Sequence, residues 1–373
     1  MASSITLSAG VRQNLLSLQD TASLFNTTQN RLATGKKVNS ALDNPTNFFT
    51  SQSLQSRAGE LSNLLDSMTN GINTLKAADN GLTSITSTIQ SMQATITQTR
   101  QDASWQSTSY SIGTGSAMVA TFTGGAVGTT GVTVSLDTAG VPDTVDQAVT
   151  AINAVAGLTG KIKATNDAGT LRIQNLSTSA LTVSGTASGV LDGSGGTASI
   201  GANTVRVNLV TQFNLLRDQL DKTAGDSSFN GVNLLNGDTL KLFFNETSTS
   251  SLTILSTNTA GINNSVLSIT AGTNAEFQDN TLLDTRLTGL HTALTTVASQ
   301  SAAFGSNLSI VQNRQNFTTQ MINTLQIGAD GLTLADTNLE GANMLALQTR
   351  QQLSITALSI ASQSNGAVLR LFG

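Results

Sequence analysis

Leu61, Leu64, Met68, Ile72, Leu75, Ala78, Leu82, Ile85, Ile89, Met92 and Ile96 succeed one another in steps of three and four. That spacing lays one continuous apolar face along a helix, so the stretch predicts a long helix of coiled-coil type. The period fails beyond Arg100, where Ser104-Trp105-Gln106-Ser107-Thr108 follows. A second run, Leu287, Leu290, Leu294, Val297, Ser301, Phe304, Leu308, Val311, Gln315, Thr318, Ile322 and Leu325, predicts another long helix. Its polar members Ser301, Gln315 and Thr318 weaken it as an isolated seam. A shorter run, Val205, Leu209, Phe213, Leu216 and Leu220, ends at Gly225-Asp226-Ser227-Ser228. Only Pro45 and Pro142 could break a helix by ring closure, so long helices are permitted.

Both ends of the chain carry the same spacing. Leu7, Val11, Leu15, Leu18, Ala22, Phe25, Gln29 and Leu32 mark one stripe, and Leu339, Ala342, Ala346, Thr349, Leu353, Ala357, Ile360, Ser364, Ala367 and Leu371 mark the other. Leu345, Leu347, Ile355, Leu358 and Val368 lie off the second stripe, so that helix is apolar around more of its circumference than a two-stranded seam requires. Terminal segments fray in water unless something ties them down. Both ends therefore read as segments that need partners.

Composition narrows the classes of function. Hydrophobic residues make up 38% of the 373, enough for real cores, while charged residues make up only 11% against roughly 25% in ordinary globular chains. The formal net charge is -4 and Lys36-Lys37 is the only basic pair, which argues against a nucleic-acid footprint. Cysteine is absent, which excludes disulfides and thiolate chemistry. No window reaches the roughly 18 apolar residues of a membrane span, and the N-terminus lacks the pattern of a signal peptide. Taken alone, that reads as cytoplasmic.

Between the helical runs the chemistry changes. Thr34-Gly35-Lys36-Lys37 through Asn44-Pro45-Thr46-Asn47 is rich in turn formers and predicts an ordered connector. Residues 110–201 shift to Gly, Thr, Ser and Val, with strand-like alternation in Val132-Thr133-Val134-Ser135-Leu136 and Leu171-Arg172-Ile173. Val145, Ala148, Val149 and Ile152 share a helical face there, capped by Asp143 or Thr144. This block predicts a small α+β domain inserted between helices. Later, Val232-Asn233-Leu234-Leu235, Asn236-Gly237 and Leu240-Lys241-Leu242-Phe243-Phe244 predict a hairpin turning at Asn-Gly, with Leu252-Thr253-Ile254-Leu255 extending its sheet.

With these residues in hand, the chain resembles bacterial flagellin, in an alphaproteobacterial variant suggested by residues 11–18 and 43–49. Residues 28–44, with Arg31-Leu32, Thr34-Gly35 and Asn39-Ser40-Ala41, resemble the family's helix-plus-connector pattern. Phe229-Asn230-Gly231-Val232 with Leu234-Leu235 is similar to its hairpin motif, and residues 336–353 resemble its terminal helix. The middle block resembles an insertion found in flagellins and hook-associated proteins. The resemblance implies a mainly α fold: a long antiparallel helical rod with coiled-coil packing and a small β-hairpin region, plus an inserted outer α+β domain. It divides the chain into an N-terminal inner helix at 1–35, connector and first rod helix at 36–105, inserted domain at 106–202, second rod helix, hairpin and long rod helix at 203–334, and C-terminal inner helix at 335–373.

What the resemblance implies about function is a homopolymer, the flagellar filament, exported unfolded through the flagellar type III apparatus to the cell exterior, with termini that order on assembly. An export chaperone, a cap protein and hook-junction proteins are the implied partners, with no nucleic acid and no membrane insertion. The inter-subunit set is Leu7, Val11, Leu15, Leu18, Phe25, Leu32, Leu339, Leu345, Leu353, Ile355, Leu358, Ile360 and Leu371. The connector set is Gly35, Asn39, Asp43, Asn44 and Pro45, and the hairpin set Phe229, Asn230, Gly231, Asn236 and Gly237. Many family members carry Gln-Arg-Val-Arg-Glu-Leu at the epitope of the vertebrate flagellin receptor. Here Gln90, Ser91, Met92, Gln93, Ala94 and Thr95 occupy that position, without either arginine or the acid, which predicts escape from the receptor.

The alternatives are a hook–filament junction protein, which shares the terminal segments, and a secreted coiled-coil adhesin with a glycan-binding outer domain. An enzyme has no supporting constellation. His291 is the only histidine and has no second ligand at usable spacing. No serine stands in a nucleophile-elbow pattern. Gly35-Lys36-Lys37 resembles the end of a phosphate loop, but Asn30 stands where that motif needs its first Gly. No metal or cofactor is expected.

Overall fold

The computed structural model describes residues 9–114, 118–138, 141–256, 258 and 260–371. The fold is mainly α. Helices α1 (Ala9–Thr34), α2 (Pro45–Gln101), α3 (Val145–Ala154), α4 (Thr204–Asp226), α5 (Asn274–Phe277), α6 (Asn280–Thr333) and α7 (Thr337–Leu371) follow in chain order. Strands β1 (Ser107–Ile112), β2 (Val119–Gly124), β3 (Gly128–Ser135), β4 (Asp137–Thr138) and β5 (Val141–Pro142) precede α3. After it come β6 (Ile162–Asp167), β7 (Thr170–Asn175), β8 (Leu181–Ser184), β9 (Thr186–Ala187), β10 (Val190–Leu191) and β11 (Thr197–Ile200). β12 (Leu240–Phe243) and β13 (Ser251–Ile254) form a two-stranded sheet of their own.

Two compact units share these elements. One holds the chain up to Thr69, Phe243–Leu252 and the chain from Gln312 onward; the other holds Asn70–Leu242 and Thr253–Val311. Both α2 and α6 contribute to each. In the second unit the three-and-four spacing of α2 becomes a dry face: Leu75, Ala78, Leu82, Ile85, Ile89, Met92 and Ile96 are all buried. Among the buried side chains of α6 in this unit are Leu283, Leu290, Ala293, Val297, Phe304 and Val311, and among those of α4 are Leu209, Val210, Phe213 and Leu220. Asp79 accepts from Ser301 Oγ at 2.9 Å, Gln93 Nε2 meets His291 Nδ1 at 3.2 Å, and Arg100 Nε pairs with Asp284 Oδ1 at 3.0 Å. Numbers rise along α2 as they fall along α6, so the helices run antiparallel. In the first unit Ala58, Leu61 and Leu325 form a smaller core, closed by Leu54, Leu64, Met321 and Ile322.

The polar members of the α6 stripe have a use that spacing alone does not reveal. Ser301 reaches Asp79, and Gln315 Nε2 donates to Thr69 Oγ1 at 3.0 Å. Each fully buried aliphatic side chain is worth about 1.5–3 kcal/mol, while a hydrogen bond adds about 1 kcal/mol net. The apolar seam therefore holds the helices together, and the polar members fix their register.

The inserted block has a core of its own. Its sheets run β6-β7-β1-β10-β9 and β11-β8-β2-β3. Period-two alternation buries Ile162 with Ala164, Leu171 with Ile173, and Leu181 with Val183, and these pack with Tyr110, Phe122, Ala148 and Ile152. Of the two candidate caps for α3, Thr144 performs the role. Gln147 N donates to its hydroxyl at 3.4 Å, and its own N–H donates to Gln147 Oε1 at 2.8 Å, a complete capping box.

The hairpin differs from its sequence reading. Asn236 and Gly237 do not turn a hairpin: Leu234–Asn236 is a 3-10 turn whose first amides are capped by the Asn233 side chain, and Gly237 ends it at φ +90°. The tight turn lies at Asn230 and Gly231, at φ +50° and +79°, where Phe229 and Val232 exchange backbone hydrogen bonds at 3.0 Å. Positive φ at both central residues is the type I′ geometry that Asn-Gly serves. The strands that pair are β12 and β13, across a connection in which Ser250 N donates to Asn245 Oδ1. Both Asn-Gly pairs adopt left-handed glycines, but a helical cap and a hairpin turn ask for the same chemistry.

Two glycines of α2 fix where this segment packs. A Cβ on Gly71 would lie 2.6 Å from Leu242, and one on Gly81 would lie 2.7 Å from Leu235 and from Ser227 Cβ. Gly59, on the same helix, has nothing within 4 Å of that position. Alanine favours a helix over glycine by about 1 kcal/mol. Gly59→Ala is therefore expected to stabilise the chain by about that amount, and Gly81→Ala to destabilise it despite the same propensity gain. Urea unfolding of the two variants checks the opposite signs.

Candidate assembly surface

The terminal helices are joined to the rest through two crossing connections, both in the first unit. Gly35, at φ +69°, ends α1, and its carbonyl accepts from Ala335 N at 2.9 Å. Lys37 N donates to Thr333 O at 2.7 Å, and Lys37 Nζ to Gly331 O at 3.1 Å. The α1–α2 connector is thus bonded directly to the α6–α7 turn. Asp43 closes the connector on itself: Oδ2 accepts from Asn39 N at 3.0 Å, Ser40 N at 2.9 Å and Ser40 Oγ at 3.2 Å. Asn44 then caps α2, accepting from Asn47 N at 3.0 Å, and Pro45 takes the first helical position, where no N–H is needed. All five connector residues singled out from sequence take part in or flank this bonding.

At the start of α7, Asp336 Oδ1 accepts from Asn338 N and Leu339 N, and the helix packs closely against α1. The residues α1 withdraws from solvent are Val11, Asn14, Ser17, Leu18, Thr21, Ala22, Phe25, Thr28, Arg31 and Leu32. On α7, among the side chains described, they are Glu340, Gly341, Met344, Leu347, Gln351, Ser354, Leu358 and Ala361. The buried members of this seam are Val11, Thr21, Thr28 and Glu340, so its most buried positions are more polar than those of α2. Arg31 Nη1 meets Glu340 Oε1 at 3.2 Å across it.

The stripe read from the sequence of α7 lies elsewhere. Leu339, Leu345, Leu353, Ile355 and Ile360 are exposed, Leu345 at 68% and Leu353 at 66%. Ala342, Ala346 and Ala357 are exposed beside them. Val11, Leu18, Phe25, Leu32 and Leu358, also assigned from sequence to contacts between subunits, are buried or half-buried within the chain. Spacing identifies an apolar face but not the neighbour that covers it, and both helices carry more than one such face. Leu15 is at the margin of the exposed surface; Leu7 lies outside the described residues, as does the side chain of Leu371.

Sequence spacing passed over other exposed apolar groups: Leu16 and Leu24 on α1, Leu42 in the connector at 96% exposure, Phe49 on α2, and Phe317 and Ile327 on α6. Their only signal is a large apolar residue off the main stripe. At the position matching the receptor epitope, Met92 and Thr95 are buried and Gln93 is half-buried against His291, leaving Gln90, Ser91 and Ala94 on the surface. Among the described residues no group of three or more His, Asp or Glu could hold a metal ion, and no helix is long and apolar enough to cross a membrane.

The backbone N–H groups of Ser40 and Asn39 hold the Asp43 carboxyl below its ordinary value of 3.8. A carboxyl depressed in the folded state contributes stability that is present above that value and is lost as pH falls through the folded one. Asp43→Ala is expected to speed hydrogen exchange at the Asn39 and Ser40 amides at neutral pH. In the parent chain the same two amides lose protection only below pH 3.8, which amide-resolved exchange against pH measures.

Comparison with known proteins places family matches on the two helical ends. Residues 8–115 match the bacterial flagellin N-terminal helical region, and residues 287–372 match the bacterial flagellin C-terminal helical region. Flagellin FljM of Caulobacter vibrioides is 33% identical over 171 residues, 46% of this chain and 61% of that protein. A flagellin of Brucella melitensis is 28% identical over 184 residues, 47% of this chain and 65% of that protein. The chain thus spans about three fifths of the length of the curated relatives it matches. A crystal structure of Bacillus cereus flagellin aligns with 68% of this chain and 88% of that one at 16% identity and a TM-score of 0.36, too loosely to inform geometry.

Proposed function

Because the chain belongs to the bacterial flagellin family, we propose that it is a structural, non-enzymatic subunit that polymerises into the flagellar filament outside the cell. The observation that carries this reading is the apolar stripe of α7, which its own chain leaves in water. Leu339, Leu345, Leu353, Ile355 and Ile360 supply the inter-subunit contacts, joined by Leu15, Leu16 and Leu24 of α1. A soluble monomer rarely keeps so long an apolar face uncovered. The curated relatives named above are flagellins, which favours the filament subunit over a junction protein or an adhesin. Passage through a flagellar export apparatus with an export chaperone, and contact with cap and hook-junction proteins, belong to the same reading.

The polar seam between α1 and α7 supports ordering on assembly. With so little apolar surface buried between them, neighbouring copies must supply the remaining burial that offsets the entropy of fixing both helices. Leu353→Asp places an unpaired carboxylate in the proposed contact, a cost of about 3–5 kcal/mol. It is expected to raise the critical concentration for growth roughly a hundredfold or more while the α2–α6 seam stays folded. Sedimentation and electron microscopy read the filaments, and circular dichroism reads the fold. Filaments of normal length, or strong exchange protection of residues 353–371 in dilute monomer, would refute the reading.

The surface at Gln90, Ser91 and Ala94 carries no charge, which supports the reading that this chain evades the vertebrate flagellin receptor. A receptor-reporter cell assay is expected to show a response far below that of a flagellin with the arginine-containing motif. An equal response would sink the idea.

A further inference from the structure

The inserted block leaves the helices at residues 102–106 and returns at 201–204, and one side chain occupies the space between the two crossings. Arg206, in the first turn of α4, is 2% exposed. Its Nη1 donates to Phe277 O at 2.8 Å, and its Nη2 to Asp102 O at 3.0 Å and Asn280 Oδ1 at 3.5 Å. Its Nε lies 3.4 Å from Asp102 Oδ2, and the guanidinium stacks 4.4 Å from the ring centre of Trp105. Asn203 ties the two crossings again, donating to Asp102 Oδ2 at 2.5 Å and capping α4 through Arg206 N at 3.1 Å. One guanidinium thus joins the end of α2, the start of α4, the end of α5 and the start of α6.

Further bonds reach from this node into the block. Asn203 N donates to Ser177 O at 3.0 Å, Asn175 N donates to Gln106 O at 2.9 Å, and Thr178 Oγ1 donates to Asn274 O at 3.0 Å. The block also falls in the same compact unit as the helix segments it leaves, although it has its own core. Burial alone would raise the Asp102 carboxyl, but hydrogen bonds from Ser104 and Asn203 and the Arg206 charge outweigh it and hold the carboxyl below its ordinary value. The pair is therefore charged at neutral pH.

We propose that Arg206 is a positioning residue: a cation-centred clamp that makes the inserted block and the helices of its unit fold, unfold and bear load as one cooperative body. A block attached only by two loop crossings would move and melt on its own. A planar fork that meets two backbone carbonyls, a carboxylate and an indole face fixes both crossings at once, which a lysine could not do.

The test uses the full chain as monomer. Helix loss is followed by circular dichroism, opening of the inserted core by exchange at Leu171 and Ile173, and the junction by fluorescence of Trp105, the only tryptophan. In the parent chain all three are expected to change at one temperature. In Arg206→Met, Trp105 emission shifts to the red and the core opens at a temperature distinct from helix loss. Arg206→Met combined with Asp102→Asn, which leaves no orphaned charge, and Arg206→Lys give the same readout if the single variant does not fold. Arg286→Met is the control. Arg286 is half-buried, against Glu276 and the Phe213 ring, and its loss is expected to lower the common transition without splitting it. Separate transitions in the parent chain, coincident transitions in the Arg206 variants, or equal splitting in the control would each overturn the clamp.

Discussion

The dry face of α2 from Leu75 to Ile96 is the contact on which the other elements depend. With no cysteine and a charged fraction of 11%, neither covalent bridges nor a surface ion network can substitute for it. Its consequences pass outward in order. Gly71 and Gly81 bring the segment after α4 close to that helix, and Asp79, Gln93 and Arg100 set the register of α6 through single polar contacts. The node around Arg206 then joins the inserted block to the ends of the same helices.

The α1–α7 pair inverts this arrangement. Where α2 buries leucines and isoleucines, the terminal seam buries two threonines, one valine and one glutamate, half-buries Leu18, Leu32, Leu347 and Leu358, and leaves Leu16, Leu24, Leu339, Leu345, Leu353, Ile355 and Ile360 facing outward. One chain thus carries a face that its own fold completes and another that its own fold leaves open. The two differ in what lies behind the same sequence period.

That difference marks how far the sequence was legible. The period gave the helices, because a 3.6-residue repeat has few other solutions, and the caps offered by Asp143 or Thr144 marked the start of α3, where the structure uses Thr144. The period could not assign neighbours: Val11 and Leu358 look like Leu353 in spacing, yet they are buried or half-buried within the chain. Asn-Gly predicted a turn twice and a hairpin once, since Gly237 ends a 3-10 turn with the same left-handed backbone that Gly231 uses in a reversal. The two-residue strand Val190–Leu191 is set by a pairing partner distant in sequence, Ser111 and Ile112 of β1, so no local pattern announces it. Arg206 gave no signal, because a lone arginine in a helical run reads as a solvated charge until the carbonyls around it are placed.

The bonding of Gly35 to Ala335 and of Lys37 to Thr333 makes the two routes into the terminal helices a single strap. Chain ends 300 residues apart thereby acquire a shared origin, and the stagger of α1 against α7 is set at that point rather than along their polar seam. The outward leucines of both helices are spaced from one mark, like graduations on one ruler. A surface that engages either helix would therefore meet the other already in phase.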